Sequence, residues 1–284
     1  VRSGVQALHV GCAMWSLKPW QRRFAPGDKL RAYAEWCNAV EGNTTFYATP
    51  ARATVAGWAA QTDPEFRLIP KIPKRVTHEL RLTNAEEPLR LFLDAIEPLG
   101  PRASALWIQL PGSFGPDDLA VLSRFLRSMP TDFRYGVEVR HPDFFTDPRR
   151  LEELLSRHHA EWIPFDTTAF FDTPPTSAAE RDAWMKKPRM PRRDTALTDR
   201  PIVRYLGRDD PARTVAGWRR WVGTTAGWLR EGRSPTVFVH TPDNADAPEL
   251  ARRFHDEVRA LVPELAPLPE PAPPIAGDEP LTLF

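Results

Sequence analysis

Glu41, Lys71, Gln109, Glu138 with Arg140, Asp166, Arg204 and His240 each end, or directly follow, a short apolar run of this chain. Residues of these types can move protons and hold charge. A carboxylate beside a cation stays ionised and can act as a general base, whereas one in apolar surroundings is driven toward its acid form. Glu138, two residues from Arg140, is the candidate base, with Glu41 and Asp166 as further catalytic carboxylates. Lys71, or His78 just beyond it, can donate a proton or steady a developing oxyanion. Arg140 and Arg204 carry planar donor forks suited to a phosphate or carboxylate. Asn43, Gln109, His240 and Asn244 add hydrogen-bonding groups, and Trp15 and Tyr47 add aromatic faces for a sugar ring. Together these point to acid–base chemistry, hydrolysis or isomerisation, on a small anionic or sugar-like substrate. For single members, ordinary packing and a structural ion-pair network are the competing readings.

Residues so scattered need a scaffold that gathers them. Strand candidates fall at Leu8–Gly11, Ala39–Glu41, Phe66–Lys71, Ala105–Leu110, Arg134–Val139, Trp162–Phe165, Ile202–Tyr205 and Thr236–His240. Their starts lie 27 to 40 residues apart, the length of one strand–helix unit. Between them run apolar residues at helical spacing, such as Leu119, Leu122 and Leu126, or Trp218, Trp221 and Trp228. Eight such units predict a single (β/α)8 TIM-barrel domain over residues 1–262, its strand ends converging on one face. An open doubly wound sheet is the alternative, although Gly-Cys-Ala-Met-Trp follows the first strand in place of a Gly-rich phosphate loop. Strand alternation turns Val137 and Val139 toward the helices and Gly136, Glu138 and Arg140 inward. The same parity aims Gln109, Arg204 and His240 inward.

Gly11-Cys-Ala-Met-Trp15, Glu41-Gly-Asn-Thr-Thr-Phe-Tyr47, Lys71-Ile-Pro73 with Thr77-His78, Gln109-Leu-Pro111 with Ser113-Phe114, and Glu138-Val-Arg-His-Pro142 resemble the motifs of the YecE-like family, a domain family of unknown function. The resemblance spans about residues 8 to 262. It implies a TIM-barrel fold related to sugar isomerases and apurinic-site endonucleases, and it implies no particular reaction. The chain departs from the family pattern twice. Phe170 to Arg200 forms an insertion between strands six and seven, with six basic and two acidic residues from Arg181 to Asp194. His240 stands where the family tends to carry an amide, which adds a titratable ring.

Lys and Arg total 38 against 37 Asp and Glu, so nucleic-acid binding would need a local patch. Lys186, Lys187, Arg189, Arg192 and Arg193 of the insertion are candidates for one, and a pocket lid or a solvated excursion are the alternatives. Residues 263–284 hold seven prolines and read as an extended tail. Its end, Leu281, Leu283 and Phe284, resembles a motif that docks on the bacterial sliding clamp, with Pro280 in place of the usual leading Gln, and packing back on the chain's own barrel is the alternative. A divalent metal is disfavoured, because Lys71, Arg140 and Arg204 interleave the possible ligands and would oppose a cation. Cofactors are not required by any motif. Two cysteines make no disulfide framework, and with no apolar leader or span the expectation is a cytoplasmic protein. Two function classes follow: an acid–base enzyme on a small substrate, or a DNA-binding phosphodiesterase or endonuclease-like repair factor that uses the basic loop and the tail.

Overall fold

A computed structural model describes residues 7–24 and 26–272. It contains β1 (His9–Cys12), β2 (Ala39–Gly42), β3 (Arg67–Pro70), β4 (Leu106–Gln109), β5 (Tyr135–Glu138), β6 (Glu161–Trp162), β7 (Phe165–Asp166), β8 (Ile202–Leu206) and β9 (Thr236–His240). All are short, fully buried and paired in parallel, with helices in the connections, as the alternation of strand and helix patterns requires.

The strands make two sheets, one of six in the order β3-β2-β1-β9-β8-β7 and one of three in the order β4-β5-β6. This corrects the expected (β/α)8 barrel: no single eight-stranded sheet forms among the described residues. Proline supplies the physical reason, since it cannot donate to a ladder. Beyond Pro70, β3 meets β4 only through the Lys71–Trp107 bridge and the Ile72 N–H donating to Trp107 O at 2.9 Å. The single strand expected at Trp162–Phe165 is divided at Ile163-Pro164. Ile163 N donates to Val137 O of β5 (2.9 Å), and Pro164 O accepts from Arg204 N of β8 (3.0 Å), so the chain passes there from one sheet to the other.

A small apolar cluster lies between the sheets, with Ala39, Ile69, Ala105, Trp107, Ile163, Ile202 and Phe238 contributed from both. A Cβ on Gly136 would stand 2.5 Å from Ile163 Cδ1, so glycine leaves the space that Ile163 fills in this cluster. The larger core packs the other strand faces against the helices. In the helix Pro211–Arg230, capped by Asp210 through the Ala212 N–H (2.9 Å) and begun by proline, Trp218 and Trp221 are fully buried. After the last helix, Ala247–Leu261, Leu265 and Leu268 still pack into this core. Leu281, Leu283 and Phe284 lie outside the described residues. No described helix is long and apolar enough to cross a membrane.

Candidate active site

At the carboxyl ends of the strands, where the two sheets meet, Glu41 from β2 and Glu138 from β5 share one network of cations. Both carboxylates are completely buried. Glu41 Oε1 stands 2.6 Å from Lys71 Nζ, and Glu41 Oε2 stands 2.7 Å from His240 Nε2. Glu138 Oε1 accepts from Arg140 Nε at 2.9 Å. Arg204 lies between the two acids, 3.4 Å from Glu41 Oε1 and 3.4 Å from Glu138 Oε2. Lys71 also donates to Gln109 Oε1 (2.9 Å) and sits 4.5 Å from the centre of the Trp107 ring. Phe165 supports Arg204 from below, at 4.1 Å. Among the described residues Glu138 Oε2 accepts one hydrogen bond, the long one from Arg204 (3.4 Å), and Glu41 Oε1, although close to Lys71, accepts none.

The network sets the protonation states. Burial pushes Glu41 upward, but Arg204, Lys71 and His240 outweigh it and hold the carboxyl well below its ordinary range. Glu138 is likewise pushed up by burial and brought down by Arg140, Arg204 and Lys71. Lys71 falls to about 8, first from loss of water and then from Arg204, against the pull of Glu41 and Glu138. Burial takes His240 down to about 4 despite Glu41, so its ring is neutral. Because Glu41 can only accept, the His240 proton sits on Nε2.

Other residues singled out in the sequence stand elsewhere. Asp166 is a correction: it faces away from the network, accepting from Trp221 Nε1 (2.7 Å) and from Thr168 Oγ1 (2.6 Å). In a strand as short as β7 one side chain points each way, and Phe165 takes the inner position. His78 lies at the rim, half-buried, with Nδ1 2.9 Å from Thr77 Oγ1 and its ring against Phe46. Burial and Arg140 lower its pKa. Trp15 packs edge-on to Trp58, Asn43 ties the second connection to Ala13 O (2.8 Å), and Tyr47 is 70% exposed. Asn244 shapes a turn, accepting from the Thr241 N–H at 3.2 Å with φ 54°. Cys12 is a buried thiol. Among the described residues no three His, Cys, Asp or Glu side chains converge as metal ligands.

The insertion is folded over this end of the molecule, and its cations do not share one face. Lys186 pairs with Asp182 at 2.6 Å, and Arg189 stacks on Phe171 and Trp184 at 4.3 and 4.7 Å. Arg193 is buried over Trp162 and paired with Glu152 at 2.6 Å, while Arg192 is half-buried. Lys187 has no such partner among the described residues and lies within the fields of Arg204, Glu41, Arg140 and Glu138. Two anchors with no clear signal in the sequence hold it there. Arg208, just past β8, grips Glu180 through Nε (3.0 Å) and Nη2 (2.7 Å), fixing the helix Ala178–Lys186. Thr167 Oγ1, just past β7, donates to Pro188 O (3.0 Å) and accepts from Met190 N (2.8 Å).

Comparison with known proteins gives concordant results. A family model described as "Protein of unknown function DUF72" matches residues 9–274. UPF0759 protein YecE of Escherichia coli, from strain K12 and from O157:H7, is 36% identical over 265 residues, covering 92% of this chain and 96% of the relative. Among solved structures, a DUF72 family protein of Enterococcus faecalis V583 is similar with a TM-score of 0.67 at 17% identity, over 91% of this chain and 98% of that one. Another, from Thermotoga maritima MSB8, gives 0.65 at 19% identity, over 90% and 99%. These two likenesses speak to the fold.

Proposed function

This chain belongs to the DUF72 family, whose description supplies no reaction, and we propose that it is an acid–base enzyme acting on a small, polyhydroxylated, anionic substrate. The observation that carries this reading is the buried network itself. Lys71 and Arg204, both buried, and Arg140 and Lys187, both half-buried, surround only Glu41 and Glu138, an excess of two positive charges. Uncompensated charge is costly to bury, so an anion is the natural occupant. Glu138, ionised and with Oε2 loosely held, is the base. Lys71, lowered to about 8, is protonated at neutral pH and near enough to its pKa to give the proton up, which makes it the acid. Glu41 and His240 are positioning residues, the first holding Lys71 and the second fixing Glu41. Isomerisation and hydrolysis both fit a base and an acid held this way.

A DNA-directed reading gains no support from the described residues, since the insertion's cations are divided among separate partners. The test is incubation with a panel of sugar phosphates and sugar acids in D2O, followed by NMR, which detects both hydrolysis and proton-transfer isomerisation. Turnover should fall about 100-fold or more in Glu138→Gln. No turnover across the panel, or an unimpaired variant, would remove the assignment.

A further inference from the structure

Lys187, half-buried, makes no ion pair and no side-chain hydrogen bond with any described residue, although the charges of Arg204, Glu41, Arg140 and Glu138 all act on it. Its backbone N–H closes the helix Ala178–Lys186 on Ala183 O (2.8 Å), and the Thr167 anchor begins at the next residue. The side chain is therefore delivered to one place and given no partner there. A second unspent donor lies in the same network. Arg204 is 6% exposed, yet its Nε has no hydrogen-bond acceptor, and its two carboxylate contacts are both long at 3.4 Å. Arg140 is the third cation, and its pairing is confined to Glu138 Oε1, through Nε and Nη2 at 2.9 Å.

We propose that Lys187, Arg204 and Arg140 form a subsite for the phosphoryl group of the substrate, completed from above by the insertion. A phosphoryl group brings three acceptor oxygens and nearly two negative charges, which matches both the excess of two positive charges and the donors left open. A single carboxylate would leave one charge and at least one donor unmatched. The Lys186–Asp182 pair, one residue away, shows the contrast: Lys186 is exposed, neutralised locally and outside the network. Substrate specificity then resides partly in this segment between β7 and β8. Lys187 also links binding to closure, because it can reach the phosphoryl group only while Arg208–Glu180 and Thr167 hold the insertion down.

This subsite rests on reading the charged network as the substrate site, yet it is measurable without turnover. The probe is inorganic phosphate, titrated into the full chain by calorimetry at fixed ionic strength, with chloride as the reference anion. Lys187→Gln, which keeps most of the aliphatic stem, should weaken phosphate binding about ten- to hundredfold, and Lys186→Gln should leave it within about twofold. Failure of the parent protein to bind phosphate, an intact affinity in Lys187→Gln, or equal losses in both variants would overturn the subsite. Phosphate binding with the expected variant pattern but no turnover of any sugar phosphate would uphold the subsite and remove the acid–base reading. Turnover without phosphate binding would do the reverse.

Discussion

Lys71 stands between opposing fields. Burial and Arg204 favour its neutral form, and Glu41 and Glu138 favour the ammonium, leaving it at about 8. If Lys71 is the acid, kcat/KM must fall as pH rises through about 8, where the folded protein releases that proton. Glu41 is held well below, and Glu138 below, the ordinary carboxylate value, so activity should persist on the acid side of neutrality. A pH profile without an alkaline limb near 8, or the same limb retained in Lys71→Met, would show that another group donates. At this scale the sequence was legible where strand parity governed. Glu138, Gln109 and Arg204 sit on inner positions because side chains alternate along a strand. Asp166 was misplaced because two-residue β7 follows a proline, and its partner Trp221 lies 55 residues further on.

The insertion depends on one buried pair. Glu180 is pushed up by burial, but Arg208 and backbone N–H groups outweigh this and bring it down to about 2. Arg208 also donates to Phe170 O, Thr173 O and Pro174 O at 3.0, 2.7 and 2.8 Å, so it holds the start of the insertion by its backbone as well. Removing one partner of such a pair strands the other charge, a cost of about 3 kcal/mol or more. Arg208→Met should therefore release the insertion and expose the bonds after Lys186 and Arg189 to trypsin under native conditions, with phosphate no longer protecting them. An unchanged digestion pattern would mean that Thr167 and the aromatic stack on Arg189 suffice. Helices and strand positions were readable from apolar spacing. The division into two sheets was not, because it turns on what Pro70 and Pro164 fail to donate across strands distant in sequence.

For the whole molecule, the buried charges tie stability to pH. His240 titrates at about 4 in the folded chain and near 6.5 once unfolded, so between these values the unfolded state binds more protons. Stability then rises with pH across that window and is lost on acidification. His9 and His255, lowered by burial first to about 3 and about 4, act in the same direction. Glu41 and Glu138 extend the loss below the ordinary carboxylate range, since their folded pKa values are depressed. Urea unfolding between pH 4 and 6.5 should show a smaller slope of stability against pH in His240→Gln than in the parent, though not a zero slope. An identical slope would mean that His240 is not held neutral. The near balance of 38 basic and 37 acidic residues hides this local asymmetry, because the excess positive charge is gathered around Glu41 and Glu138.

The sequence by itself determined the alternation of strands and helices, the family and most of the ionisable groups that meet. Those rest on local spacing and on motifs that lie contiguous in the chain. Only the tertiary structure decided that the strands divide into two sheets, that Asp166 turns outward to Trp221, and that Lys187, unlike its basic neighbours, is left without a partner within the field of Arg204. Each of these depends on partners far apart in sequence, brought within a few ångströms by packing that no local pattern encodes.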